Sequence, residues 1–141
     1  MAELFFDGDL SPLKGLTIAV IGYGNQGSVQ AKILRENGLG VIVGNRRDEY
    51  WRRAEEDGFK VYEIREAVKR ADAALLLVPD EVAPEIYYGE MDEEVRRKSL
   101  FILDFASGYN IAYGLIKPAP NADVVMVAPR MFAWGILERH K

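Results

Sequence analysis

Apolar runs separated by polar segments of helical length recur along this chain, and their order predicts strands and helices in alternation. The runs are LTIAVI at 16–21, GVIVG at 40–44, AALLLV at 73–78, LFILDF at 100–105 and DVVMVA at 123–128, with a shorter KVYEI at 60–64 as a sixth. Half-exposed antiparallel strands alternate apolar and polar positions, whereas strands covered on both faces are apolar throughout. These runs are of the second kind. The expected fold class is therefore α/β, a Rossmann-type doubly wound parallel sheet forming a single three-layer domain over 1–141. Segment 25–37 places Val29, Ile33 and Leu34 near helical spacing and stops at Asn37-Gly38, a helix-ending pair. Segments 48–57, 65–71 and 92–98 are shorter and more charged, as helices covering a sheet are. The 79–91 stretch opens on Pro79-Asp80-Glu81, which would put acids at the positive end of a helix beginning there.

Composition narrows the function classes. A length of 141 residues is that of one ordinary domain, and 49% hydrophobic with 28% charged residues is a globular balance. No apolar run approaches the roughly 18 residues of a membrane span, so no membrane partner is expected. The absence of cysteine excludes disulfides, thiolate metal sites and a cysteine nucleophile. The start of the chain lacks the basic and apolar regions of an export signal, and a cytoplasmic location is expected. A net charge of −4 and a pI near 5.1 leave no concentrated basic surface, so nucleic acid is not an expected partner.

Gly22, Gly24 and Gly27 fit G-x-G-x-x-G, placed after an apolar strand and at the start of an amphipathic helix. In that context the first two glycines close a tight turn and the third lets the helix lie close to the strand. A dinucleotide pyrophosphate would then rest on the N–H groups and positive dipole of the helix. Roughly 20 residues further on, NAD sites place an acid against the ribose 2′-hydroxyl. This chain has Asn45-Arg46-Arg47 there, and guanidinium groups suit a 2′-phosphate. The favoured cofactor is NADP, with NAD as the alternative if Asp48 or Glu49 accepts the ribose hydrogen bonds.

Taken together, GDLSPLKG at 8–15, IAVIGYGNQG at 18–27, VIVGNRR at 41–47, LLVPDEV at 76–82, FASGYNI at 105–111 and MVAPR at 126–130 resemble the N-terminal domain of ketol-acid reductoisomerases. That family uses NADPH and magnesium to isomerise and reduce acetohydroxy acids in branched-chain amino-acid synthesis. The resemblance implies cofactor contacts from Tyr23, Asn25 and Gln26 within the glycine turn and from Asn45, Arg46 and Arg47. It also implies a nicotinamide side formed by Pro79, Asp80, Glu81, Val82 and Ala83, with Ser107 and Gly108 nearby. Two departures stand out. Ser107 occupies the position of the family's active-site histidine, and Arg130 that of its lysine. The family's magnesium carboxylates lie in a helical C-terminal domain that would begin after Lys141. The resemblance thus implies no metal in this chain, and the 141 residues alone are expected to be inactive as a reductoisomerase; the alternatives are the cofactor domain of a divergent reductase with another substrate, favoured by Ser107 and Arg130, and a stand-alone NADP-binding module without catalysis.

Other residues carry weaker signals. His140 reads as a solvated terminal residue, and Asp92-Glu93-Glu94 as acids at a helix start more than as metal ligands. Asp104, at the end of the fifth run, could orient a substrate or serve as partner to a loop amide, the second being favoured. Tyr109 and Tyr113 read as packing residues, and Trp51 either covers the adenine or caps the core. Met131, Phe132, Trp134, Ile136 and Leu137 are expected to drive self-association into a homo-oligomer.

Overall fold

The computed structural model describes residues 8–128 and Glu138. Six parallel strands form one sheet in the order β3-β2-β1-β4-β5-β6. They are β1 (Thr17–Ile21), β2 (Gly40–Gly44), β3 (Val61–Tyr62), β4 (Ala73–Leu76), β5 (Phe101–Phe105) and β6 (Ala122–Met126). The chain runs outward from β1 to β3, then returns to pair β4 against the other side of β1. This reversal leaves a crevice at the carboxyl ends of β1 and β4, where open α/β sheets bind ligands. Among the described residues no helix is long and apolar enough to cross a membrane.

Both faces of β1 are buried, which explains its unbroken apolar sequence. Ala19 and Ile21 point to one side, into a core built with Ile64, Ala67 and Val68 of α3 (Ile64–Arg70) and with Ile86 of α4 (Ala83–Ile86). Val20 points to the other, against Ala31 of α1 (Asn25–Glu36) and Ala54 of α2 (Glu49–Glu56). Complete burial of such side chains contributes about 1.5–3 kcal/mol each, so the central strands carry much of the stability. The predicted apolar face of α1 is shifted: its buried residues are Gly27 and Ala31, while Val29, Ile33 and Leu34 are half-buried. Small residues face the sheet because the helix lies close to it.

Several boundaries differ from the expectation. The fourth strand ends at Leu76; Leu77 keeps one bond to β1, its N–H reaching Ile21 O at 2.8 Å, and the chain then turns away ahead of Pro79, which has no N–H to continue the ladder. The helix does not begin at Pro79 either. It starts at Ala83 with Glu85 as its first-turn acid, passes through a π turn at Tyr87–Met91, and continues as α5 (Asp92–Arg96). Segments expected to be separate are thus one helical run. Two tyrosines of the π turn hold the loop before β6, the Tyr88 hydroxyl accepting the N–H of Lys117 at 2.7 Å and the Tyr87 hydroxyl that of Ala119 at 2.9 Å. The largest correction concerns β6, where cover on both faces was expected: Val124, Val125 and Met126 are 39%, 40% and 60% exposed. Among the described residues β6 is an edge strand, paired with β5 alone. Residues 129–137 and 139–141, with Arg130, His140 and the apolar segment expected to self-associate, lie outside the described residues.

Gly44, at the end of β2, shows how tightly the layers meet. A Cβ there would stand 2.7 Å from Ile21 Cδ1 and 2.9 Å from Ala67 Cβ. Gly44→Ala is expected to cost about 1–3 kcal/mol through overpacking, read as a lower urea midpoint at unchanged slope. An unchanged midpoint would show that α3 can move away from the sheet.

Candidate functional site

A cleft of about 280 Å³ opens at the carboxyl edge of the sheet, where the strand order reverses. Its floor is the turn from β1 into α1. Gly22 adopts φ +96°, a backbone region glycine tolerates, and a Cβ on it would meet Leu77 O at 2.7 Å and the Val78 side chain at 2.8 Å. A Cβ on Gly27 would collide with the Gly22 carbonyl oxygen, whereas one on Gly24 meets nothing within 4 Å. The first and third glycines are therefore required by packing, and the second borders open space. No side chain caps α1, so the N–H groups of Asn25, Gln26 and Gly27 stand at an open helix end.

Helix α2 is built differently. Asp48 caps it, Oδ1 accepting the N–H groups of Tyr50 at 2.9 Å and Trp51 at 3.3 Å. One helix start is filled by its own carboxylate and the other is left for an anion. Asn45 joins the two. Its Oδ1 accepts the N–H of Tyr23 at 3.2 Å, and its Nδ2 donates to Arg46 O at 2.8 Å and Asp48 Oδ1 at 2.9 Å.

Tyr23 presents its backbone to the cleft and buries its side chain beneath it, at 2% exposure. Its ring lies edge-on to Phe59, and its hydroxyl donates to Asp57 Oδ2 at 2.6 Å. Burial, then the bond and charge of Asp57, raise the phenol pKa well above its usual value, and the same bond lowers that of Asp57. This tyrosine therefore braces the turn as a neutral hydrogen-bond donor and takes no part in proton transfer.

The two arginines diverge. Arg46 lines the cleft, and no acidic side chain among the described residues pairs with it. Arg47 leans away, its Nε 3.3 Å from Glu63 Oε1 and its guanidinium 4.8 Å from the centre of the Trp51 ring. Trp51 thus packs under Arg47, and it is Tyr50 that enters the cleft. The opposite wall is Leu77, Val78, Pro79, Val82 and Ile86. Leu77 and Val78 escaped the sequence reading because they looked like the end of a strand. Tyr50, Ile64 and Ile86 stand at no motif position, and only the packing of their helices reveals them.

The remaining expected residues are dispersed. Ala83 is buried in the core beneath the wall. Asp80 and Glu81 line an adjoining cleft of about 390 Å³ with Pro84, Tyr109 and Leu115. Ser107, followed by Gly108, donates its hydroxyl to Asp80 Oδ2 at 3.2 Å. Tyr109 and Tyr113 pack on one another, ring centres 4.9 Å apart, but are 50% and 71% exposed rather than part of the core. Asp92, Glu93 and Glu94 are engaged in ion pairs with Arg65, Arg96 and Arg97. Among the described residues no group of three or more acids or histidines could hold a metal.

The sequence profile of the acetohydroxy acid isomeroreductase NADPH-binding domain matches residues 12–141. The chain belongs to that family. A Saccharolobus solfataricus protein named "Putative ketol-acid reductoisomerase 3" is 58% identical over 141 residues, covering 100% of this chain and 42% of its own. The ketol-acid reductoisomerase (NADP(+)) of Pyrobaculum neutrophilum is 50% identical over 133 residues, 92% of this chain and 40% of its own. Among solved structures, an NADH-preferring ketol-acid reductoisomerase from an uncultured archaeon superposes with a TM-score of 0.89 at 36% identity, over 94% of this chain and 41% of that one. The chain therefore spans about two fifths of the length of these relatives. Membership in the isomeroreductase family makes this a domain for an NAD(P)H cofactor.

Asp104 is a feature of the isomeroreductase-like sheet that the dinucleotide cleft does not use. It is 6% exposed, Oδ1 has no partner among the described residues, and Leu75 and Val125 flank it on the adjacent strands. Burial pushes its pKa up from 3.8 to about 6, against a smaller lowering by the Val127 amide. A folded-state pKa above the unfolded one means that the folded protein holds the extra proton between about pH 4 and 6. Stability then falls as pH rises through that window, by about 3 kcal/mol in all. Asp104→Asn is expected to flatten the profile, matching wild type near pH 4 and exceeding it at pH 8. Parallel unfolding profiles for the two proteins would show that Asp104 is not buried as a free acid.

Proposed function

We propose that this domain binds NADPH in preference to NADH and presents its nicotinamide for hydride transfer, as part of a ketol-acid reductoisomerase acting on acetohydroxy acids. The open start of α1, beside a cleft that Arg46 enters without an acidic partner, carries the reading. The dinucleotide supplies the hydride when bound. The chain's own residues divide the remaining work. The N–H groups at Asn25–Gly27 would hold the pyrophosphate, and Arg46 would face a 2′-phosphate at the end of β2. Pro79 and Val82 would flank the nicotinamide half, which extends over β4 by exclusion from the β2 side. Asp48 is less suited to an NAD ribose, because one of its oxygens already accepts three hydrogen bonds.

A reductase of this family with another substrate is the second reading, favoured by Ser107, whose hydroxyl is already directed at Asp80. Serine cannot replace a titrating imidazole near neutral pH. The net charge of −4 supports the absence of nucleic-acid partners. Exposed apolar side chains on β6 support association of this end of the domain with further polypeptide, a second copy included.

Titration of both cofactors by nicotinamide fluorescence tests the proposal. NADPH is expected to bind about ten- to a hundredfold more tightly than NADH. Arg46→Ala should remove most of that preference, while Arg47→Ala should leave it within about threefold, since Arg47 is committed to Glu63 and Trp51. Equal affinities in the wild type would transfer the ribose contact to Asp48 and refute the NADP assignment.

A further inference from the structure

Two loops meet beside the β4 end of the cleft, and one buried amide joins them. Asn110, in the single turn of α6 (Tyr109–Ala112), is 2% exposed and donates from Nδ2 to the main-chain oxygen of Asp80 at 3.0 Å. Its own main-chain oxygen accepts the N–H groups of Leu115 at 2.9 Å and Ile116 at 3.1 Å. Ser107 holds the same aspartate from the side-chain end, donating to Oδ2 at 3.2 Å while accepting the N–H of Tyr109 at 3.3 Å. Asp80 is thus gripped at both ends by residues of the loop after β5. It stands between Pro79 and Val82, which both line the dinucleotide cleft.

Stability does not account for an asparagine here. Its Oδ1 is buried with no partner among the described residues, an arrangement that costs free energy. An apolar side chain of similar shape would avoid that cost. It could not, however, hold the carbonyl of Asp80. The segment so held is a turn ahead of regular helix: the N–H groups of Val82 and Ala83 both reach Pro79 O at 3.1 Å, while Pro79 itself donates no hydrogen bond, and the Asn110 bond ties this turn to the loop after β5.

We propose that Asn110 is a positioning residue for the nicotinamide half of the cofactor: by fixing the Asp80 carbonyl, with Ser107 fixing its carboxylate, it sets the wall formed by Pro79 and Val82. The inference rests on reading the cleft as a dinucleotide site. The adenine half, bounded by Arg46 and Tyr50 on the β2–α2 side, lies away from this contact and should not sense it.

Two ligands separate the halves: NADPH, and 2′-phospho-ADP-ribose, which lacks the nicotinamide. Calorimetric titration of Asn110→Leu in the full-length chain is expected to show NADPH weakened about tenfold. Binding of 2′-phospho-ADP-ribose should stay within about twofold, and the enhanced nicotinamide emission of bound NADPH should be lost. The urea midpoint should be no lower than that of the wild type. Asn110→Ala, which cuts the bond without adding bulk, carries the same binding expectation should the leucine variant not fold. Ser107→Ala should move NADPH in the same direction and Ser107→Thr, which keeps the hydroxyl, should restore it. Equal weakening of both ligands, or NADPH binding and emission unchanged, would overturn the proposal. Failure of the wild type to bind either ligand would instead refute the dinucleotide reading itself.

Discussion

Three stretches of backbone meet at Gly22 with no room for one additional carbon. The end of β1, the first turn of α1 and the exit from β4 at Leu77 converge there, and a Cβ on Gly22 would lie 2.7 Å from the Leu77 carbonyl oxygen. This close approach places the start of α1 directly over the carboxyl end of the central strand. It also directs the unpaired N–H groups of that helix into the crevice created by the reversal of strand order. The small buried face of α1, Gly27 and Ala31, follows from the same constraint. A larger residue at either position would lift the helix from the sheet and close off the cleft floor.

Charge is divided around this junction in a way that favours an anion at one place only. Helix α2 brings its own capping carboxylate, and the acids at the start of α5 are engaged by arginines. Arg47 is drawn off by Glu63 and Trp51. Facing the cleft are the uncapped end of α1, Arg46 and the capping Asp48. The Asn45 carboxamide fixes their relation, because it bonds to the turn before α1 and to the cap of α2 at once. Charges at a half-enclosed surface are less screened than those in open water.

On the far side of the sheet the protein is less complete in its packing. Strand β6 leaves large apolar side chains exposed, and beside it Asp104 lies buried with no charged partner among the described residues. A carboxyl in such a place favours its neutral form, since desolvation outweighs the one backbone amide that reaches it. This region tolerates polar burial poorly. By contrast, on the β1 side the buried Asn45 carboxamide bonds through both its oxygen and its nitrogen, to Tyr23, Arg46 and Asp48.

Much of this was legible in the residues alone. Uninterrupted apolar runs such as those of β1 and β4 point to cover on both faces and so to a parallel, doubly wound sheet, although the equally apolar β6 is partly exposed. The glycine spacing requires a tight turn into a helix, because only glycine permits φ +96° at Gly22 and a missing Cβ at Gly27. These are short-range constraints, carried by a few adjacent positions, and so a linear pattern displays them. Tertiary structure decided what depends on direction. Arg46 and Arg47 are chemically identical neighbours, yet Glu63 and Trp51, brought in from another loop and the next helix, claim one and leave the other to the cleft. Leu77 and Val78 read as strand until the chain is seen to turn away ahead of Pro79, and the burial of the Tyr23 ring beneath the turn has no signature in the linear pattern. The link from Asn110 to Asp80 spans thirty positions and has no periodicity to betray it. Sequence specified which backbone conformations were possible, while the direction and partners of each polar side chain were settled only when distant segments packed together.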